Sequence, residues 1–235
     1  MTIGAGATAD TKRTALVVGA TGIAGSALVD TLVKEGWAVL ALSRQPAAER
    51  PGVRWLSADL TSAASVKAVL APENPSHVFF TAWSRRDTEE ENITVNAGML
   101  RDLLAALRGK NVAHVALMTG LKHYLGPFEA YAAGEMPDTP FHEEEPRLPV
   151  PNFYYAQEDE LWAAAEEQGF TWSVHRAHTV IGHAVGNASA VRLPGIRDAV
   201  ERPDGHDGCR AARRAYALGF HHAQSRQRGL QHCER

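Results

Sequence analysis

The apolar run Thr14–Val18 breaks into Gly19-Ala20-Thr21-Gly22-Ile23-Ala24-Gly25 and continues as a helix-patterned stretch to Gly36. A strand that enters a helix through a glycine turn leaves few architectures open, because it is the opening unit of a parallel sheet covered by helices. The same turn places bare backbone N–H groups at a helix N-terminus. Those donors and the helix dipole suit a pyrophosphate. A dinucleotide is therefore expected at this turn. Gly19 would allow the tight bend, Gly22 the approach of the phosphates and Gly25 the packing of helix on strand. Thr21 and Ile23 belong to the same turn and are expected cofactor contacts.

The pattern repeats along the chain. Ala38–Ser43 reads as a second buried strand, and in a doubly wound sheet its end meets the adenosine ribose. Here that end is Ser43-Arg44, a hydroxyl and a guanidinium where an acidic residue would favour a free 2′-hydroxyl, so NADP(H) is expected over NAD(H). Val53–Ser57 is a third strand running into Asp59-Leu60. Asp59 either accepts from the adenine amino group or caps the helix Ser62–Leu70. His77–Thr81 is a fourth strand, and Thr81, Ala82 and Trp83 fall at its carboxyl end, the edge where open α/β sheets bind ligands. Trp83 lines the nicotinamide side or simply packs; the residues leave both open. Glu89–Leu107 has Val95, Met99, Leu103 and Leu107 at helical spacing, an apolar stripe for the core. Val112–Met118 and Thr171–Arg176 complete six strands, with a helix ending at Gln168 between them. The fold class expected is α/β, a doubly wound parallel sheet.

The 235 residues, 45% of them hydrophobic, suffice for one main domain with a substantial core. Neither a membrane span nor a secretory signal is recognisable, so a cytoplasmic location is the expectation. Cys209 and Cys233 lack metal-site spacing, and no metal is expected. The net charge of −3 conceals a split, with +4 over residues 189–235 and −7 over the remainder.

Two stretches are more specific. Thr119-Gly120-Leu121-Lys122-His123-Tyr124-Leu125-Gly126-Pro127-Phe128-Glu129 follows the fifth strand. After the proline-rich, acidic loop Glu135–Pro151, Asn152-Phe153-Tyr154-Tyr155-Ala156-Gln157-Glu158-Asp159 opens the last helix. The spacing G-x-x-G-x-x-G resembles that of extended short-chain dehydrogenases/reductases. The strings T-G-L-K-H-Y-L-G-P-F-E, N-F-Y-Y-A-Q-E-D and W-S-V-H-R-A-H-T-V-I-G resemble the progesterone 5β-reductase/iridoid synthase family, over about Thr14 to Ala188. The resemblance implies an enzyme that reduces activated C=C bonds of enones with NADPH, with Tyr154 and Lys122 as the catalytic pair. The short-chain Tyr-x-x-x-Lys arrangement is missing, since Gln157 and Glu158 stand three and four residues after Tyr154. The lysine must therefore arrive from Lys122. Hydride addition to an enone leaves negative charge on the carbonyl oxygen, which a phenol and a nearby ammonium would stabilise. A free phenol titrates near pH ~10, and a neighbouring cation makes it a readier proton donor near neutrality.

Phe128 and Phe153 suit the wall for a small apolar enone; His123 and Tyr124 are weaker candidates. Ala177 departs from the proline usual in the family. Neither nucleic acid nor membrane is an expected partner, and a homodimer is left open. A carbonyl reductase or sugar epimerase/dehydratase using the same pair, and a non-catalytic NADP(H)-binding protein, stand as alternatives.

Residues 1–12 show no periodicity and read as a disordered leader. After Ala188, arginine, histidine and glycine crowd in and periodicity is lost. Read one base later with suitable synonymous codons, Ala190–Gly195 can encode P-F-V-F-P-G and Ala199–Cys209 can encode Q-W-N-G-L-T-D-M-T-D-A, strings similar to the family's C-terminal part. Residues 189–235 are thus expected to be an unstructured, out-of-frame tail that leaves the substrate region incomplete.

Overall fold

A computed structural model describes residues 13–126, 139–178 and 180–182. The leader and the tail from residue 189 lie outside the described residues, as does Phe128. The described elements are β1 (Thr14–Val18), α1 (Ile23–Lys34), β2 (Ala38–Ser43), β3 (Val53–Ser57), α2 (Ala63–Leu70), β4 (His77–Phe80), α3 (Glu89–Ala106), β5 (His114–Gly120), α4 (Lys122–Leu125), α5 (Phe153–Gln168) and β6 (Thr171–Ala177). All strand pairs are parallel, in the order β3-β2-β1-β4-β5-β6.

Parallel strands covered on both faces need apolar residues on both, which is why β1 and β2 read as unbroken apolar runs. On one face Leu16, Leu42, Phe80 and Leu117 meet the helices α2, α3 and α5 around Leu70, Leu103 and Leu161. On the other, Ala15, Val17, Val39 and Ala41 meet α1 through Leu28, Val29 and Leu32. Each buried leucine, valine or phenylalanine among these contributes roughly 1.5–3 kcal/mol. Local chemistry sets the helix starts: Ser62, Thr88 and Asn152 each accept a backbone N–H in the first turn of α2, α3 and α5. Gly169, at φ +78°, ends α5 in the left-handed region that glycine adopts without strain.

Several element boundaries differ by a residue or two from the sequence reading. β5 begins at His114 rather than Val112 and continues through Gly120, because its pairing with β6 persists to Gly120↔Ala177. The short α4, which the composition did not signal, begins at Lys122, two residues past the end of that strand.

Candidate active site

The strand order reverses between β1 and β4, and in such sheets the crevice outside the carboxyl ends at this point is the place that takes ligands. Three glycines shape the turn after β1 and its entry into α1. Gly19 sits at φ +83°, and a Cβ there would lie 3.0 Å from the backbone nitrogen of Ala82. A Cβ on Gly25 would come within 2.2 Å of the Gly19 carbonyl oxygen, so α1 can rest on the turn only with glycine at this position. Gly22 is the N-cap of α1 and, unlike the caps of α2, α3 and α5, offers no side-chain acceptor. The first turn of α1 thus presents its N–H groups and the positive end of its dipole to the crevice, an arrangement suited to an anion.

The expected cofactor contacts fall around this cradle. Thr81 is fixed by its hydroxyl, which donates to the Val18 carbonyl at 2.8 Å, and Ala82 touches the Gly19 turn. Ile23 meets the segment 180–182, since a Cβ on Gly182 would lie 2.7 Å from its Cγ2. At the far end of the crevice Ser43 is buried and its hydroxyl donates to the Gln45 carbonyl at 2.8 Å, so the turn consumes the hydroxyl and Arg44 supplies the exposed charge. Asp59 does not cap α2; Ser62 does. Its Oδ1 instead accepts from the backbone N–H of Thr61 at 2.9 Å and from the Thr61 hydroxyl at 2.8 Å. Those bonds, then the nearby charges of Arg44 and Arg86, hold the carboxyl below the usual carboxylate range despite opposing desolvation. Leu60 is buried beside it.

The Lys122 and Tyr154 stretches meet at the end of β5. The Tyr154 hydroxyl lies 3.2 Å from the point where a side chain on Gly120 would begin. The Phe153 ring joins the pair, with its centroid 4.2 Å from that of Tyr154 and 4.9 Å from the Lys122 ammonium. Trp83, half exposed at 51%, stacks on Phe153 at 6.0 Å and 10°. Phe153 itself is 1% exposed, so in this arrangement its ring is a platform beneath Tyr154 and Lys122 rather than an open wall.

Neighbouring tyrosines differ sharply. Tyr155 is buried, its hydroxyl donating to the His123 carbonyl at 2.6 Å and accepting from the Leu148 N–H at 3.0 Å. It fastens the loop before α5. Glu158, four residues past Tyr154, is fully buried and accepts from Arg147 Nη2 at 2.9 Å and Nε at 3.2 Å. That ion pair occupies the position where a lysine one turn along α5 would have stood. His123 is buried, packs edge-on against Tyr124 and Tyr155, and is pushed below its ordinary range mainly by desolvation.

Several site residues escaped the sequence reading. Glu89, in the first turn of α3, accepts from Lys122 Nζ through Oε2 at 2.8 Å and from the Phe153 N–H through Oε1 at 2.9 Å. Asn152 donates to the Lys122 carbonyl at 2.7 Å and accepts from the Tyr154 N–H at 3.0 Å. Asn96, wholly buried, grips Ser84 at both its N–H and its carbonyl, at 2.7 and 2.9 Å, while Asn92 accepts from the Arg86 N–H at 2.8 Å. Together these asparagines shape the loop that carries Trp83.

The fold and the site define a class. The chain belongs to the NAD dependent epimerase/dehydratase family, whose model matches residues 15–201. Among characterised proteins it is similar to the (S)-8-oxocitronellyl enol synthase of Camptotheca acuminata, 38% identical over 186 residues that cover 74% of this chain and 47% of the enzyme. It is also similar to the 3-oxo-Delta(4,5)-steroid 5-beta-reductase of Arabidopsis thaliana, 38% identical over 184 residues covering 73% and 47% respectively. The chain therefore spans about half the length of these relatives. Solved structures with the same fold include a UDP-glucose 4-epimerase of Thermus thermophilus complexed with NAD (TM-score 0.57, 23% identity, 69% of this chain and 54% of that one). Another is a putative epimerase of Burkholderia cenocepacia (TM-score 0.58, 23% identity, 78% and 59%). No helix among the described residues is long and apolar enough to cross a membrane.

Proposed function

We propose that this chain is an oxidoreductase that binds a nicotinamide dinucleotide, NADPH in preference to NADH, and reduces the activated C=C bond of a small apolar enone. The carrying observation is the convergence of Tyr154 and Lys122 on the Phe153 ring at the end of β5, with the Tyr154 hydroxyl lying over a glycine. The cradle of Gly19, Gly22 and Gly25 fits the phosphates, Asp59 with Leu60 the adenine end, and Thr81, Ala82 and Trp83 the approach to the ring that reacts. The names of the similar plant enzymes support an oxo-terpenoid or 3-oxo-steroid as the substrate class.

When bound, the cofactor supplies hydride for the β-carbon of the enone. The protein's part lies at the other end of the conjugated system. Tyr154 donates its hydroxyl hydrogen bond to the carbonyl oxygen, where negative charge develops, and Lys122 adds a positive charge beside it. Trp83, half exposed and stacked on Phe153, supplies apolar surface beside the pair. An epimerase-like use of the pair finds less support, because Glu158 bound to Arg147 occupies the helix position that would otherwise bring in the lysine.

The test is oxidation of NADPH by the purified chain with a 3-oxo-Δ4 steroid or an acyclic oxo-terpenoid enone, followed by product analysis. A saturated ketone or aldehyde is expected, and an allylic alcohol as sole product overturns the assignment. Tyr154→Phe should lower the rate by about 10²–10³-fold with NADPH affinity retained. Arg44→Ala should weaken NADPH binding by about 1.5–3 kcal/mol and leave NADH unchanged. Equal wild-type affinity for the two cofactors would sink the NADPH preference.

A further inference from the structure

Three acidic residues, Glu89, Glu90 and Glu91, begin α3. Any of them favours the positive end of that helix. Only Glu89 among them turns inward in the described structure. Its carboxylate has three partners: Oε2 takes the Lys122 ammonium at 2.8 Å and the Asn92 side-chain amide at 3.4 Å, and Oε1 takes the N–H of Phe153 at 2.9 Å. Phe153 is the first residue of α5 and Tyr154 the second, so one carboxylate touches both the lysine and the start of the helix that carries the tyrosine. The side chains of the ion pair are only 11% and 16% exposed, which shields it from the screening that weakens surface pairs. Asn152 makes a parallel link through backbone, from the Lys122 carbonyl to the Tyr154 N–H.

We propose that Glu89 is a positioning residue for the Tyr154–Lys122 pair, fixing the ammonium and the helix N-terminus at a constant separation. The proposal rests on the enone reductase reading for its kinetic arm alone. Lys122 has a flexible four-carbon stem, and without an anchor its ammonium samples many positions. The Glu89 carboxylate on one side and the Phe153 ring on another leave it few, and the second carboxylate oxygen ties α5 to the same anchor. No reacting atom is touched by Glu89.

The full-length chain is compared with Glu89→Gln, which keeps an acceptor for the Phe153 N–H and removes the charge facing Lys122, and with Glu89→Ala, which removes both. Two readouts need no turnover. Acetylation of Lys122 by an amine reagent, followed by mass spectrometry, should run faster in Glu89→Gln than in the wild type. Hydrogen exchange at the Phe153 and Tyr154 amides should accelerate in Glu89→Ala and stay close to wild type in Glu89→Gln. Unchanged rates in both experiments overturn the proposal, whether or not any enone is reduced.

The kinetic arm uses NADPH with the enone that the wild type turns over. Glu89→Gln should lower kcat by on the order of 10²-fold, as a small misplacement of a catalytic group does, with the KM for NADPH unchanged. Placed on Lys122→Met, the same change should alter kcat by about twofold or less, because the group it positions is gone. A full multiplicative loss in the double variant, or a loss confined to KM, shows a general structural role and overturns the proposal. An inactive wild type instead overturns the enone reductase reading, and the acetylation and exchange rates then decide the role of Glu89 alone.

Discussion

Gly120 and Asn96 show how single residues set the site. Gly120 leaves room for the Tyr154 hydroxyl: a Cβ would lie 3.2 Å from it and 3.3 Å from the Ala177 carbonyl. Both contacts are tighter than ordinary packing allows. Gly120→Ala should therefore displace the phenol and reduce enone turnover far more than it reduces melting temperature; equal losses in the two measurements would contradict this. Asn96 matters for another reason. It supplies partners to both backbone groups of Ser84 in a buried setting. Asn96→Ala leaves those groups unpaired, at a cost of about 1–3 kcal/mol that denaturant unfolding will register. Asn96→Asp keeps the acceptor for the Ser84 N–H but buries a carboxylate oxygen against the Ser84 and Asn92 carbonyls, and should cost at least as much as Asn96→Ala.

At the scale of elements, α1 and the loop before α5 are placed by opposite means. Helix α1 is held close by missing atoms, since a Cβ on Gly25 would collide with the Gly19 carbonyl oxygen at 2.2 Å. Both the atom struck and the helix that would have to move are backbone, so the strain has no cheap relief. Gly25→Ala is expected to destabilise the fold by about 1–3 kcal/mol, the usual penalty for overpacking, and to abolish tight dinucleotide binding because the cradle opens. Calorimetric titration with NADPH together with thermal unfolding checks both halves. The loop is held instead by charge. Arg147 pairs with buried Glu158 at 2.9 Å and with Asp159 at 2.8 Å, and stacks over the Tyr155 and Trp162 rings at 4.9 and 4.7 Å. Removal of that guanidinium leaves the Glu158 carboxylate buried beside Arg176, whose Nε stands 3.9 Å away, and Arg147→Met should cost about 3–5 kcal/mol by denaturant unfolding.

Across the whole molecule, three adjacent strands share a row of imidazoles. His77 on β4 lies 6.3 Å from His114 on β5, and Ser173 on β6 bridges His114 and His175 at 3.0 and 2.9 Å. Burial lowers all three, His114 and His175 to about 4, with the neighbouring histidines adding to the effect on His114. The folded state thus resists protons that the unfolded chain accepts at its ordinary value of about 6.5. Stability is full above that value and falls as the pH drops from 6.5 towards 4, where the slope levels off. The shifts of His114 and His175, fully expressed, are each worth on the order of 3 kcal/mol. Melting temperature followed by circular dichroism from pH 7.5 downwards should decline through this window. His114→Gln, which retains a polar partner for Thr171 or Ser173, should flatten the decline; an unchanged slope would show that other groups carry it.

The strands and long helices were legible in the sequence because each is dictated locally. Buried parallel strands must be apolar throughout, an amphipathic helix must repeat at its own period, and a glycine turn between them needs no knowledge of the rest of the chain. The doubly wound sheet followed from that alternation, and the choice of Tyr154 and Lys122 as candidates followed from the family resemblance that their two motifs carry. Tertiary structure alone decided the rest. Nothing in three consecutive glutamates separates Glu89 from Glu90 and Glu91; the distinction arises where α3 passes the junction of β5, α4 and α5. Asn152 reads as an ordinary N-cap until its second bond to the Lys122 carbonyl is seen, and Phe153 reads as an exposed wall until α5 packs it under Trp83 and Tyr154. Hydrophobic periodicity reports which face of an element is buried. It carries no information about which polar atoms meet across elements distant in sequence, and those meetings, Glu89 with Lys122 across 33 positions and with Phe153 across 64, are what give the site its geometry.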